Sequence, residues 1–134
     1  MNYLADTSAL ARLIPDIQDE YGFNQAIDAG LVGVCDITEL EFCYSARTAA
    51  DRSAILTLLA AAYTWVPIPD GIYQRAREVQ QLLTNHGEHR GPGTVDLLVA
   101  ATAELSNLIL LHRDADFETI AKHTGQPTKI LPGL

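Results

Sequence analysis

A chain of 134 residues with 48% hydrophobic and 19% charged residues is long enough to bury a core without disulfides or a structural metal, and its composition excludes disorder. Its longest apolar stretch, Leu58 to Ile68, is too short and too interrupted to span a bilayer. The net charge of −8 is the opposite of the basic signature expected of a nucleic-acid binder. Either the protein is generically acidic, or part of its carboxylate set holds cations; two divalent ions would offset about half of that charge.

The start, MNYLADTSAL, lacks a basic region and has Asp6 where a signal peptide would be apolar. We therefore expect one cytoplasmic domain over residues 1–134, with no membrane segment. Tyr3 to Ala5 is a first strand leading into Asp6. A helix is predicted from Ser8 to about Ile14, where Pro15 stops it. A second helix is predicted over Asp19–Ala29, closed by Gly30. The β-branched run Leu31–Ile37 is a second strand. Glu39–Arg47 and Asp51–Tyr63 are helical, Trp65–Ile68 is a third strand, and Ile72–Leu83 is an amphipathic helix. Residues 85–93, Asn-His-Gly-Glu-His-Arg-Gly-Pro-Gly, form the one clear loop. Its His86-Gly87-Glu88-His89 segment lacks the HExxH form of a zinc site.

Val95–Leu105 is apolar nearly all round, as in a helix buried on more than one side. Leu108–Leu111 is a fourth strand, Phe117–His123 a short helix, and Lys129–Leu131 a last strand. Cys35 and Cys43, in apolar contexts without metal-ligand spacing, read as buried free thiols. Strands alternating with helices predict an α/β sandwich around a mostly parallel sheet.

Ligands of open parallel sheets bind beyond the carboxyl ends of the strands. Asp6 ends the first strand, Asp36 lies near the end of the second, and Asp114 and Asp116 follow the fourth. Glu41 and Asp96 fall in the first turns of helices. Carboxylates collected there repel one another unless a cation sits among them, and Mg²⁺ or Mn²⁺ suits oxygen donors. Each acid also has a structural reading. Asp6 and Asp114 can cap helices, and Thr38-Glu39-Leu40-Glu41 has the form of a capping box. Asp96 is different: it interrupts an apolar run in which Thr94 can already serve as the cap, and a buried unpaired carboxylate is costly.

Asp6-Thr7-Ser8, Thr38-Glu39-Leu40-Glu41-Phe42, Val95-Asp96-Leu97-Leu98-Val99-Ala100-Ala101 and His112-Arg113-Asp114-Ala115-Asp116-Phe117 resemble, in order, the four motifs of PIN-domain nucleases. Order, context and length are similar to the VapC-type toxins of bacterial toxin–antitoxin pairs. The resemblance implies a three-layer PIN-like α/β/α sandwich. It also implies metal ligands at Asp6, Glu41, Asp96 and Asp114, with Asp116 as an additional ligand and Ser8 hydrogen-bonding within the site. Periodicity leaves Glu39 and Glu41 open as alternatives, since residues two apart on a helix point about 200° apart; the family pattern favours Glu41. One departure stands out: the family commonly has Thr or Ser where this chain has His112, which would either contact phosphate or a water, or simply pack. Asp36 has no counterpart and reads as a turn residue.

The implied activity is Mg²⁺-dependent (or Mn²⁺-dependent) hydrolysis of RNA phosphodiesters by metal-activated water, leaving 5′-phosphate and 3′-hydroxyl ends. The implied partners are RNA, a VapB-type antitoxin protein and a second copy of the chain. Arg12, Arg47, Arg90 and Arg113 lie near the acidic end in sequence; they form either a basic rim for RNA or ordinary solvated side chains. Rival readings are a catalytically silent PIN scaffold, a receiver-like Mg²⁺-binding signalling module and a phosphatase. The second lacks the acidic pair and the late lysine it needs; the third, built on the Asp114-Ala115-Asp116 pair, would normally have its nucleophile after the first strand, and this chain lacks the downstream lysine it needs.

Overall fold

The structure is a computed structural model that describes residues 2–133. The chain order is β1 (Tyr3–Ala5), α1 (Thr7–Leu13), α2 (Asn24–Asp28), β2 (Val32–Val34), α3 (Asp36–Cys43), α4 (Ala49–Ala62), β3 (Thr64–Trp65), α5 (Ile72–Asn85), α6 (Thr94–Leu105), β4 (Ile109–His112), α7 (Ala115–Thr124) and β5 (Thr128–Ile130). Among the described residues the strands form one sheet of order β3-β2-β1-β4-β5, with every pairing parallel. The predicted mostly parallel sheet is thus wholly parallel, with helices on both faces. No helix among the described residues is long and apolar enough to cross a membrane.

Side chains alternate between the faces of a strand, and the short apolar runs use both. Leu4 and Leu110 point into a core with α5, α6 and α7, including Val79, Leu83, Val99, Ala103, Phe117 and Ile120. Their neighbours Ala5 and Leu111 point the other way, into a core with Leu10 and Leu13 of α1, Val32, Val34 and Leu59 of α4. Strands covered on both sides read as continuous apolar runs. α6 packs against α5, α7, β4 and α3, which explains why it is apolar nearly all round. We expect Leu110→Ala, at a fully buried position, to cost about 2–5 kcal/mol, read as a lowered urea midpoint.

Several boundaries differ from the prediction for local reasons. Instead of a helix over Asp19–Ala29, only Asn24–Asp28 is helical. Asp16 accepts the backbone N–H groups of Glu20 and Tyr21 at 2.8 and 2.9 Å, and Asp19 takes a positive φ of 58° while accepting from Asn24 at 3.0 Å. These side-chain contacts offer the backbone an alternative to a helix. β2 stops at Val34 because Cys35 already stands as the extended N-cap of α3. Asp36 is therefore an exposed first-turn helix residue, and Glu41 lies in the second turn rather than the first. β3 is Thr64–Trp65 rather than Trp65–Ile68: its partner ends at Val34, and Pro67 and Pro69 have no N–H to extend the ladder. Both cysteines are buried and free.

Candidate metal centre

The connectivity turns back at the centre of the sheet. From β1 the chain builds outward through β2 to β3, then crosses to the other side of β1 for β4 and β5. β1 and β4 are therefore neighbours, with Ala5 opposite Leu111, and the crevice at such a switch point is the usual ligand site of an open parallel sheet. Asp6 leaves one of these strands and Asp114 follows the other.

Asp6 is the N-cap of α1, its Oδ1 accepting the Ala9 N–H at 3.0 Å and the Ser8 hydroxyl at 2.7 Å. The Ser8 oxygen in turn accepts the Arg113 backbone N–H at 2.8 Å. Ser8 thus ties the end of β1 to the end of β4. Asp6 is only 4% exposed, and its burial pushes its carboxyl above the usual range against the pull of these hydrogen bonds.

The closest grouping is Asp96, Asp114 and Asp116, each partly buried, with one carboxylate oxygen from each lying within 4.8 Å of the others. Asp114 caps α7, its Oδ1 accepting the Asp116 N–H at 2.9 Å. Asp96, in the first turn of α6, accepts the Gly93 N–H at 3.2 Å. Gly93, not Thr94, is the cap of that helix, so Asp96 does have a structural contact. That contact does not relieve its electrostatics. Burial first, then the charges of Asp114, Asp116 and Glu41, push Asp96 up to about 6. Burial and Asp114 likewise raise Asp116.

Glu41 faces the same crevice from α3, and its Oε1 accepts the Thr7 hydroxyl at 2.5 Å. The capping box does not form, because α3 begins three residues earlier and Thr38 turns inward, 3.6 Å from the Cys35 sulfur. Glu39 instead lines a different hollow, with Val34, Leu56, Leu59, Ala60, Tyr63 and Trp65. Asp6 and Glu41 stand outside the tight trio, on the β1 and α3 sides of it.

Oxygen donors of one octahedral Mg²⁺ at about 2.1 Å lie about 3.0 Å apart when cis and about 4.2 Å apart when trans, so the trio, spread over up to 4.8 Å, would have to draw together by as much as about 1–2 Å to share one small divalent cation. The donors are all carboxylates, the pairing a hard cation selects.

The four arginines are placed differently from one another. Arg12 donates to the Ser8 carbonyl at 2.9 Å, and Arg113 donates to the Leu131 carbonyl at 3.1 Å; both guanidinium groups are tethered to backbone. Arg47 and Arg90 are exposed. Arg90 adjoins Gly91, where a methyl group would lie 3.5 Å from Asp116 Oδ1, so the 85–93 loop borders the trio. Glu88 pins that loop to α7 through Lys122 and His123, at 2.9 and 3.1 Å.

Three contributors carried no decisive sequence signal. Thr7 was visible only as the middle of a motif. Glu88 read as loop decoration, and Glu118, the partner of His112, was one more helix-surface acid. His112 itself is fully buried, so of its two readings the packed one describes it.

Comparison with known proteins agrees with this architecture. The PIN-domain family model matches residues 3–123. The ribonuclease VapC2 of Mycobacterium tuberculosis is 43% identical over 134 residues, spanning 96% of this chain and 92% of that protein. Ribonuclease VapC21 of the same organism is 38% identical, spanning 98% and 96%. A solved structure of VapBC2 from Rickettsia felis, bound to a DNA fragment from their promoter, superposes with a TM-score of 0.80 over 98% of this chain and 100% of that one, at 16% identity. The chain belongs to the PIN-domain family, and within it to the VapC type.

Proposed function

We propose that this protein is a divalent-metal-dependent endoribonuclease acting as the toxin of a VapBC-type toxin–antitoxin pair. The observation that carries the reading is the convergence of Asp96, Asp114 and Asp116 within 4.8 Å at the switch point of the sheet. Relatives at 43% and 38% identity named as ribonucleases support it.

In this reading Asp96, Asp114 and Asp116 hold Mg²⁺ or Mn²⁺, with Asp6 and Glu41 adding negative charge from the β1 and α3 sides. A metal held by these residues would supply activation of water and stabilisation of charge on the phosphate and the leaving oxygen. Ser8 keeps Asp6 turned toward the crevice through its 2.7 Å hydrogen bond, and Thr7 does the same for Glu41. Arg90, exposed on the loop that borders the trio, is the side chain offered to RNA phosphates at this acidic face, and the exposed Arg47 adds a second cation for the RNA. The full set of acids favours a working nuclease over a silent scaffold.

The same reading assigns a cytoplasmic protein, a VapB-type antitoxin as partner and a homodimer as the assembled form. The toxin–antitoxin assembly among the structural neighbours supports the first partner. Exposed apolar side chains at Ile17, Leu40, Tyr44 and Tyr73 are the surfaces such partners would cover.

The test is incubation of the purified chain with end-labelled RNA in Mg²⁺, Mn²⁺ or EDTA, followed by mapping of the product ends. We expect metal-dependent cleavage leaving 5′-phosphates, suppressed by a co-purified antitoxin. Cleavage of equal rate in EDTA, or products with 2′,3′-cyclic phosphate ends, would overturn the mechanism.

A further inference from the structure

The structure assigns His112 a role beyond packing: we infer that it is the positioning residue that sets Asp114, and through it Asp116, in place. This rests on the reading of those two aspartates as metal ligands. The ring is fully buried at the end of β4, yet both its nitrogens are used. Nδ1 accepts the Asp114 backbone N–H at 3.1 Å. Nε2 lies 2.9 Å from Glu118 Oε1, which also accepts the Thr128 hydroxyl at 2.8 Å.

The two contacts determine the tautomer. A nitrogen that accepts an N–H carries no proton, so Nε2 carries it and donates to the carboxylate, which can only accept. Glu118 of α7, Thr128 of β5 and the Phe117 ring, 5.2 Å away between centroids, hold the imidazole so that Nδ1 always faces Asp114.

The bond from Nδ1 to Asp114 runs from a side chain to the N–H two residues on. That is the geometry of an Asx or ST turn, in which Asn, Asp, Ser or Thr oxygens ordinarily accept. A histidine performs it here, at the place where the family resemblance leads one to expect Thr or Ser. The consequence passes along the chain. Asp114, with its N–H anchored, uses Oδ1 to accept the Asp116 N–H at 2.9 Å and so starts α7. Two of the three clustered carboxylates therefore hang on one imidazole nitrogen.

The experiment compares His112→Asn with His112→Gln. Asn places an acceptor where Nδ1 was; Gln reaches Glu118 but offers nothing to Asp114. Two quantities are read: Mn²⁺ affinity by calorimetry, and hydrogen exchange of the Asp114 amide. We expect His112→Asn to keep the amide protected and to bind Mn²⁺ within about 3-fold of wild type. His112→Gln should exchange that amide freely and bind about 10-fold or more weakly. Glu118→Leu, at a side chain 41% exposed, removes the acceptor that fixes the tautomer; it should weaken Mn²⁺ as well, with the unfolding midpoint measured beside it as a control for the fold. If His112→Gln and Glu118→Leu bind Mn²⁺ as wild type does, His112 merely fills space and the inference fails. If wild type binds no Mn²⁺ at all, the metal reading fails first and the inference goes with it.

Discussion

Asp96→Asn is expected to abolish metal-linked stabilisation and RNA cleavage while making the metal-free protein more stable at pH 7.5. The carboxyl of Asp96 is pushed up to about 6, by burial first and then by Asp114, Asp116 and Glu41. Its ordinary value is 3.8. Between those two values the native state binds more protons than the unfolded chain, so stability falls as pH rises through that window. The ionised group thus destabilises the metal-free fold above about pH 6, and the neutral Asn removes that penalty. A shift of roughly two units is worth at most about 3 kcal/mol, and partial solvent exposure brings the expected gain nearer 1 kcal/mol, or a few degrees in Tm. The gain should vanish below about pH 4, where Asp96 is protonated in both states.

Metal acts in the opposite direction. A ligand present at 100 times its Kd stabilises the native state by about 2.7 kcal/mol. Wild type should gain several degrees in saturating Mn²⁺ and the variant almost none, so the order of the two melting temperatures reverses. Thermal melts at pH 4, 6 and 7.5, with and without Mn²⁺, check the whole pattern. Identical responses to Mn²⁺ in the two proteins would remove Asp96 from the ligand set.

The second large effect separates two acids on one helix. Glu41→Gln should lower cleavage by about 10–100-fold, the scale seen when a group that supports a bound metal is removed, because it takes away negative charge that helps hold the cation. Glu39→Gln should change it by no more than about 3-fold. Glu41 accepts the Thr7 hydroxyl and contributes to raising Asp96. Glu39 points to a hollow lined by α4 and β3 side chains, so its amide neither adds nor removes charge at the trio. Rates measured at saturating Mn²⁺ on one RNA, with unfolding midpoints as a control for the fold, decide between them. A larger loss for Glu39→Gln would transfer the role.

These effects also mark how far the chain could be read without its fold. Local physics determined the strands and most helices. A strand buried on both faces needs a short continuous apolar run such as Leu108–Leu111, Pro15 ends α1, and a helix enclosed on several sides must be apolar all round, as Val95–Leu105 is. The carboxylates were legible too, because Asp96 breaks that apolar run and because acids follow strand after strand. Where local competition was fine-grained, the reading slipped. The side chains of Asp16 and Asp19 unmade a predicted helix, and α3 began at Asp36 instead of Glu39, which dissolved the capping box.

Tertiary structure alone decided which acids meet. The crossover that places β4 beside β1 sets the strand end that leads into Asp6 beside the strand end that leads into Asp114, although 107 residues separate the two acids in the chain. The start of α3 turned Glu41 toward the crevice and Glu39 away. Backbone carbonyls took up Arg12 and Arg113 and left Arg90 at the rim. His112 acquired its role only when Glu118 and Thr128, from two other elements, closed around it. A residue type and its spacing express what the neighbouring chain requires; a hydrogen bond across the sheet depends on which strands become neighbours, and that is a property of the whole packed chain.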